Sequence, residues 1–319
     1  MWKLILKRVL LMIPQLLLMT LLIFAIAKLM PGDPFTGRFS PQLDLSELAR
    51  LRKEAGLDDP WYVQYFRWIG NALHGHFGDS YVLQKPVVTL MGERLGNTIV
   101  LSLFTTVFLY LFGIPMAVAS AKNEGKFIDR FWLTFNSITY GVPALVIFLF
   151  VLFLFGYTLQ WFPTSGSVNI DAEGFVGIWL SKIYHVILPS VTIAALSTVG
   201  IFTYLRTGLL DNRNQDFVRT ARAKGVPEKQ IFWKHNFRNS MLPIAQNFGF
   251  QIVAIFSGSI FVEQIFNYPG MGLLYYSSIS TRDYAVITAL MLFYGFLSLV
   301  GAVLSDIILA WVDPRVRIS

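Results

Sequence analysis

The chain has 319 residues, of which 55% are hydrophobic and only 14% are charged, whereas charged residues make up about 25% of an ordinary soluble domain. It contains no cysteine, which excludes disulfides, thiolate metal sites and cysteine nucleophiles. The formal net charge of +7 suits a nucleic-acid partner only if the positions of the basic residues have no simpler explanation.

Six apolar runs are long enough to span a bilayer, which takes roughly 20 residues of helix. The sequence therefore predicts an all-α, polytopic membrane protein with six transmembrane helices. Pro115, Pro143 and Pro189 fall inside runs, which membrane helices tolerate because neighbouring groups satisfy the freed carbonyls. The predicted spans are residues 9–30, 98–121, 131–155, 183–205, 241–266 and 285–312.

The first run has some features of a cleaved signal peptide. Lys3, Lys7 and Arg8 precede it, and residues 25–27 read Ala-Ile-Ala, as at a cleavage site. Its length exceeds the apolar core of a signal peptide, which is about 7–15 residues. We therefore expect residues 1–30 to form the N-terminus and an uncleaved first transmembrane helix.

The Lys and Arg residues of the short connections predict the orientation, because loops rich in these residues stay in the cytoplasm. With the N-terminus inside, eight of them fall in the cytoplasmic segment 206–240, and the short outer loops carry only Lys182 and Arg282. We therefore predict a multi-pass protein of the plasma or inner membrane with both termini cytoplasmic. This asymmetry explains most of the net charge, and a nucleic-acid partner is unnecessary.

Residues 31–97 are the only sizeable piece predicted to lie outside the membrane on the extracytoplasmic side. Leu45, Leu48, Leu51 and Ala55 recur at helical spacing, and a Gly-Leu-Asp-Asp-Pro turn then leads into a second amphipathic stretch. We expect a small, mostly helical cap that packs on the helix ends, with an external partner as the alternative. Residues 98–319 would form the core, with helices two to six.

The segment 206–240 between the fourth and fifth runs has the pattern of a soluble helical hairpin. Asp216 is a candidate N-cap, and Gly225 is placed to end the first helix. Pro227 then stands near the start of a second helix. On the residues alone, a solvated basic loop remains an alternative. Ala221 and Ala223 are small, so another surface could approach the backbone closely at this turn. The basic residues around them are Arg219, Arg222 and Lys224.

Several stretches, taken in order, carry a resemblance to a known family. They are "LKRVLLMIPQLLLMTLLIFAIAKLMPGDP", "GLDDPWYVQYFRWIGNALHGHFGDS", "ERLGNTIVLS", "DFVRTARAKG", "KHNFRNSMLPI", "EQIFNYPGMG" and "DPRVR". Together they resemble the first permease subunit of the oligopeptide, dipeptide and nickel importers, a branch of the binding-protein-dependent ABC importer permeases. "RTARAKG" resembles the EAA loop of these permeases. It keeps Ala221 and Gly225 but has Arg219 and Thr220 where the wider pattern has Glu and Ala.

The resemblance implies a type I ABC importer permease fold and a complex with a second homologous permease subunit, two ATP-binding subunits and an extracytoplasmic solute-binding protein. It implies peptides as the default cargo, with nickel or another small solute as the alternative. ATP and Mg would be used by the partner subunits. No G-x-x-x-x-G-K-S/T motif occurs in the sequence, in agreement with this expectation. We expect no catalytic residue and no bound cofactor or metal in this chain.

The resemblance also gives the hairpin a role as a coupler. Closure of the ATPases on nucleotide would pull on its turn, and the attached helices would switch access between the two sides. The residues that would make this contact are Asp216, Phe217, Val218, Arg219, Thr220, Ala221, Arg222, Ala223, Lys224 and Gly225.

A path for polar cargo needs polar side chains that face a cavity, because lipid-facing ones are costly. Hydrogen bonds between helices are the alternative for each candidate. Glu263 and Asp306 are acids near opposite ends of the predicted spans, and we expect structural pairing for both. The candidate path residues are Asn136, Gln246, Asn247, Gln251, Ser257 and Glu263.

Two other classes of membrane protein are disfavoured. A secondary transporter typically has inverted repeats and an ion site at mid-membrane, and an intramembrane enzyme needs a nucleophile with its base, or two acids, at depth. No acid lies near the middle of a predicted span, and no internal repeat is evident. His74 and His76 alternate in the extracytoplasmic segment, where we expect surface residues rather than a metal site.

Overall fold

The computed structural model describes residues 2–29, 58–80 and 82–312. The predicted helix around Leu45–Ala55 and the terminal stretch 313–317 lie outside these ranges. The described parts are helical and contain no strand, only an isolated bridge between Asp79 and Pro86, so the predicted all-α class is confirmed. The helices are α1 Trp2–Leu29, α2 Trp61–Leu73, α3 Val87–Lys122, α4 Phe127–Gly141, α5 Ala144–Val151, α6 Gly174–Asn212, α7 Asp216–Ala223, α8 at 228–240, α9 Leu242–Ala254, α10 Ile260–Ile265, α11 Met271–Thr281 and α12 Tyr284–Val312.

Four helical stretches in the described part are long and apolar enough to cross a membrane. They correspond to the first, second, fourth and sixth predicted spans. Pro115 and Pro189 lie inside α3 and α6 without ending them. The four stretches are Leu6–Leu29, Val87–Lys122, Gly174–Asn212 and Tyr284–Leu309.

The third predicted span, 131–155, is sharply bent rather than straight. Phe127–Gly141 and Ala144–Thr158 meet at an angle of 104°. Pro143 stands at the bend as the N-cap of α5, and Val142 before it is extended. Proline has no N–H to continue the first helix, and its ring disfavours helical backbone in the preceding residue. Beyond α5 the chain continues as a π-helical segment, Leu152–Thr158.

The fifth predicted span, 241–266, is interrupted as well. α9 ends at Ala254, and residues 255–259 separate it from α10, with Gly258 in the left-handed region at φ +73°. At 13 residues, α9 is about 20 Å long. This is shorter than the hydrocarbon core of about 30 Å that a spanning helix crosses. Six continuous spans are therefore not present in the described structure.

α3 and α6 form the central packed pair, because each presents small and aliphatic side chains to the other. A Cβ atom at Gly113 of α3 would lie 3.2 Å from Ile201 Cγ2 of α6, so the two backbones approach closely. The buried core between them includes Leu109, Ala117, Ala121, Ala194, Ile201, Phe202, Leu205 and Leu209.

α12 packs on α9 and α1 through glycines. A Cβ atom at Gly249 of α9 would lie 2.2 Å from the Ser305 nitrogen, so only glycine allows this approach. Near the same end of α12, Arg8 Nε lies 2.9 Å from Asp306 Oδ2. Asp306 therefore has a structural partner, as expected, and that partner lies within this chain.

Candidate functional site

The basic segment 206–240 contains the expected helical hairpin, formed by α7 and α8. Val218 and Ala221 of α7 pack against Ile231 of α8, and all three side chains are buried. Asp216 is the first residue of α7, and Gln215 before it makes no side-chain capping bond. The prediction that Asp216 is the N-cap is therefore wrong, because the helix begins one residue earlier than expected.

The turn of the hairpin depends on Gly225, as predicted. Gly225 has φ +74°, and its N–H donates to the Arg222 carbonyl at 3.0 Å. The Val226 N–H donates to the Ala221 carbonyl at 3.2 Å, which completes a Schellman motif. A glycine fits here because side chains disfavour left-handed backbone.

An ion pair between the two helices also closes the turn. Arg222 Nε lies 2.5 Å from Glu228 Oε1, and Nη2 lies 3.2 Å from Oε2. The guanidinium lowers the pKa of Glu228, and the carboxylate raises the pKa of Arg222 in return. Both groups are exposed, so the pair fixes geometry more than it adds stability.

The ten predicted contact residues divide into two groups. Val218 and Ala221 point into the hairpin core. The expectation that Ala221 offers a surface for close approach is therefore wrong, because its side chain is covered by the hairpin itself. The exposed group comprises Asp216, Phe217, Arg219, Thr220, Arg222, Ala223, Lys224 and Gly225.

The hairpin is bonded to the end of α6. The side-chain Nδ2 of Asn236 donates to the Leu209 carbonyl at 2.9 Å, and the side-chain Nδ2 of Asn212 donates to Ser240 Oγ at 2.9 Å. A Cβ atom at Gly208 would lie 3.2 Å from Ser240 Cβ, so α6 and α8 are in close contact. Because Asn236 and Ser240 are buried, α8 is expected to move together with this end of α6.

α3 reaches the same hairpin through its last residue. Lys122 Nζ lies 4.4 Å from the centre of the Phe232 ring and 5.0 Å from that of Trp233. These distances are typical of cation–π contacts. α8 is therefore held by both α3 and α6.

A buried polar cluster lies beside these contacts, and we call it the Asp129 cluster: Ser120 of α3, Asp129 of α4 and Arg206 of α6. Arg206 donates from Nε and Nη2 to the two oxygens of Asp129, each at 2.9 Å. Ser120 Oγ also donates to Asp129, and the Gly125 N–H donates to it at 2.8 Å. The cluster joins three helices. The sequence alone does not indicate this cluster, because Arg206 stands there simply as one of the basic residues of segment 206–240.

Glu263 is a structural acid in this chain. It is fully buried, and its oxygens accept from the Ser259 N–H at 3.1 Å and the Leu273 N–H at 2.9 Å. Thr98 Oγ1 lies 3.5 Å from Oε1 and accepts the Met271 N–H at 2.8 Å. The carboxylate therefore holds the break before α10 to the start of α11. As a candidate path residue it has no face open to a cargo in this structure.

Two of the sequence stretches that carried the resemblance are bonded to each other. The side-chain Nδ2 of Asn97 donates to the Pro269 carbonyl at 3.0 Å, and the Tyr268 hydroxyl donates to the backbone carbonyl of Asn97 at 3.2 Å. Asn97 belongs to "ERLGNTIVLS", and Tyr268 and Pro269 belong to "EQIFNYPGMG". Their joint occurrence thus has a physical reason, since each satisfies backbone groups of the other.

The remaining path candidates occupy different environments. Asn136 is buried and donates to the Trp132 carbonyl at 2.9 Å. Gln246 and Asn247 of α9 are exposed, whereas Gln251 and Ser257 are half-buried. A cavity of about 370 Å³ lies between α4, α5 and α6, and none of the six candidates lines it. Its lining is largely apolar and includes Phe135, Ile147, Val151, Phe155, Leu188 and Leu196.

The fold has a counterpart among solved structures. It matches a chain of the MetNI methionine ABC transporter in inward-facing conformations, with a TM-score of 0.50 and 14% identity. The match covers 71% of this chain and 97% of that one. The fold is thus that of a type I ABC importer permease.

Sequence comparison identifies the family. The family described as "Binding-protein-dependent transport system inner membrane component" matches residues 110–318, and its N-terminal counterpart matches residues 1–103. The chain is 40% identical to the oligopeptide transport system permease protein AppB of Bacillus subtilis, over 98% of both chains. It is 34% identical to the glutathione transport system permease protein GsiC of Salmonella paratyphi A, also over 98% of both.

The chain therefore belongs to the family of binding-protein-dependent transport system inner membrane components. It is a transport subunit rather than an enzyme, and it works with ATPase and binding-protein partners.

Proposed function

We propose that this chain passes peptides from an external binding protein into the cytoplasm, powered by ATP hydrolysis in partner subunits. The observation that carries the cargo class is the full-length similarity to two permeases whose names specify peptide substrates, an oligopeptide in one and glutathione in the other. Nickel or another small solute is the competing cargo, and neither of these relatives' names supports it.

The proposed complex contains a second homologous permease subunit, two ATP-binding subunits that use ATP and Mg, and the binding protein. Both termini and segment 206–240 would face the cytoplasm, and residues 31–97 would lie outside. The eight basic residues of 206–240 support this orientation, because such loops stay inside.

The exposed face of α7 and the turn at Gly225 would dock on an ATPase subunit. Support for a coupling role comes from the bonds of Asn236 and Asn212, which tie α8 to the end of α6. A displacement of the docked hairpin would therefore be passed to a spanning helix. Rigid-body transmission of this kind needs two discrete states that the partner biases.

Polar cargo would pass along α9 and the break after it, where Gln246 and Asn247 are exposed and Gln251 and Ser257 are half-buried. Asn136 of α4 is a further candidate, since the structure gives its side-chain oxygen no hydrogen-bond partner. Replacing Gln246 or Asn247 by leucine should lower peptide uptake without lowering the amount of assembled complex.

Uptake tests the cargo. Labelled dipeptides, longer peptides, glutathione and nickel would be supplied to cells with and without this chain. Loss of peptide uptake alone on deletion supports the proposal, and loss of nickel uptake alone overturns the cargo while leaving the family intact.

Crosslinking tests the docking face. Ala223→Cys is exposed and should crosslink to an ATPase subunit, whereas Ala221→Cys is buried and serves as the matched control. An intact complex without a crosslink from Ala223→Cys, Thr220→Cys or Lys224→Cys contradicts the docking of this turn.

A further inference from the structure

α2 is attached to α1 through a contact that lies inside the apolar span of α1. The Tyr65 hydroxyl of α2 lies 3.0 Å from Thr20 Oγ1, and both residues are buried. Thr20 donates its own hydroxyl to the Leu17 carbonyl at 2.9 Å, so Tyr65 is the donor to Thr20. Phe24, one turn further along α1, meets the Tyr65 ring edge-on at 5.5 Å and the Trp68 ring at 6.1 Å.

The position of Thr20 fixes the depth of this contact. The apolar span of α1 is Leu6–Leu29. Thr20 lies nine residues before Leu29, which at the helical rise is about 13 Å from that end. The hydrocarbon core is about 30 Å thick. The side of α2 that carries Tyr65 is therefore level with acyl chains in the leaflet at the Leu29 end.

A second side of α2 carries large apolar side chains that remain exposed among the residues that the structure describes. Tyr62, Phe66 and Leu73 recur at helical spacing and are 52%, 70% and 82% exposed. The polar side chains lie elsewhere around the helix. Arg67 is paired with Asp59 at 2.7 Å, and Asn71 is exposed four residues further on. α2 thus has one side on α1, one apolar side and one polar side.

α1 also has exposed apolar side chains near the Leu29 end of its span. Leu22 and Ile26 of α1 are exposed at the same end of the span as Phe24. An aromatic and aliphatic surface at this depth, with a polar side beyond it, is typical of helices that lie in the membrane interface. Tyr and Trp also concentrate at that level, where the ring is in apolar surroundings and the polar group is hydrated.

We infer that α2 is an interfacial helix, with Tyr62, Phe66 and Leu73 in contact with lipid acyl chains at the Leu29 end of α1 and with Arg67 and Asn71 turned to water. The occupant of this face is the bilayer itself. α2 would thereby anchor the chain that leads into α3 at a fixed depth beside the membrane surface.

Nitroxide labelling tests this inference, and the absence of native cysteine makes single-site labelling direct. Phe66→Cys, Leu73→Cys and, as the matched control on the polar side, Asn71→Cys would be labelled in the full chain. The chain would be purified with its accompanying subunits and reconstituted in vesicles of phosphatidylethanolamine and phosphatidylglycerol. Collision rates would be measured with oxygen, which concentrates in lipid, and with nickel ethylenediaminediacetate, which stays in water.

The expected result is a reversal of preference, with oxygen the more frequent partner at Phe66→Cys and Leu73→Cys and the nickel complex the more frequent at Asn71→Cys. A dominant nickel complex at all three sites overturns the inference, because α2 would then lie in water. Immobile labels that neither reagent reaches overturn it too, because protein would cover the face. Protection from both reagents that appears only when the binding protein is added would identify a protein-docking face. This result would overturn the inference too. The two apolar sites report independently, so one variant that fails to assemble leaves the test intact.

Discussion

Arg206 and Asp129 lie 77 positions apart and form a two-pronged ion pair, with one 2.9 Å hydrogen bond to each carboxylate oxygen. The Asp129 side chain is 3% exposed and that of Arg206 is 18% exposed. Removing one partner of a buried ion pair is strongly destabilising, because the other charge is then left unpaired in a poorly solvated place. Since Arg206 lies one to two turns from Leu209 and Asn212, the α6 residues that hold α8, the pair fixes the α3–α4 turn relative to the hairpin.

Single replacements in the Asp129 cluster should therefore be severe. Asp129→Asn or Arg206→Met should destabilise the protein by about 3–5 kcal/mol, because either change leaves a buried charge without its partner. The double variant Asp129→Leu with Arg206→Met should recover much of that loss. Thermal unfolding of the purified protein measures the effect. Glu124→Gln is the control, because the Glu124–Arg213 pair is exposed at 3.6 Å, and should change stability by less than about 1 kcal/mol. Equal stability of Asp129→Asn and this control would contradict the role of the cluster.

Gly270 should not tolerate a side chain. A Cβ atom there would lie 2.4 Å from Glu263 Oε2, whereas one at Gly96 would meet nothing within 4 Å. Overpacking of this kind costs about 1–3 kcal/mol. Gly270→Ala should lower both the thermal stability and the amount of protein in the membrane, and Gly96→Ala should lower neither. If the two variants behave alike, the carboxylate of Glu263 is not held where the structure places it.

Glu263→Gln should destabilise the same region through the loss of hydrogen bonds rather than through a steric clash. The carboxylate accepts backbone N–H groups with both oxygens, and an amide nitrogen in place of one oxygen faces a donor. One unsatisfied buried donor costs about 1–3 kcal/mol. Hydrogen exchange at the Leu273 and Ser259 amides measures this directly, and both should exchange faster in the variant. Unchanged protection at both amides would contradict the prediction.

The hairpin turn should depend on the left-handed backbone conformation of Gly225. Gly225→Ala forces a side chain into left-handed backbone, at about 1–2 kcal/mol. No atom lies within 4 Å of the added Cβ position, so the effect is conformational rather than steric. The Val226 amide, which donates to the Ala221 carbonyl, should lose protection from hydrogen exchange. Gly225→Asn should be milder, because asparagine tolerates this backbone better, and an alanine variant indistinguishable from wild type would rule out the motif.

Cysteine labelling should separate two alanines only two positions apart. Ala221→Cys places its thiol in the core formed with Val218 and Ile231, and Ala223→Cys places its thiol on the exposed side of α7. A maleimide should label Ala223→Cys much faster in membrane preparations that hold the chain without its ATPase partners. Comparable rates at both sites would mean that the hairpin opens in the membrane.

The sequence predicted well those features that depend on local pattern. The length of the apolar runs predicted the spans of α1, α3, α6 and α12, and Gly225 with Pro227 predicted the hairpin turn. The bend at Pro143 was less accessible, because proline inside a membrane helix is compatible with either a continuous helix or a break. The neighbouring helices decide between the two.

The features that escaped prediction depend on contacts between distant residues. The break at 255–259 lies in a largely apolar run, and the Glu263 carboxylate stabilises it through hydrogen bonds to the Ser259 N–H and to Thr98 of α3. Likewise, nothing near Asp129 in the sequence indicates Arg206 as its partner. Hydropathy identifies the apolar segments of a chain, but it does not show which polar side chain of a distant helix will contact them.

The fit between Glu263 and Gly270 has an evolutionary consequence. The three atoms nearest to a Cβ at Gly270 all belong to the Glu263 side chain. The Glu263 side chain is therefore the reason that position 270 has to be glycine. A lineage that shortened the acid would release the glycine from that constraint, and a lineage that enlarged the glycine first would have to discard the acid. Among descendants of a common ancestor the two positions should therefore behave as one heritable character, changing together or not at all.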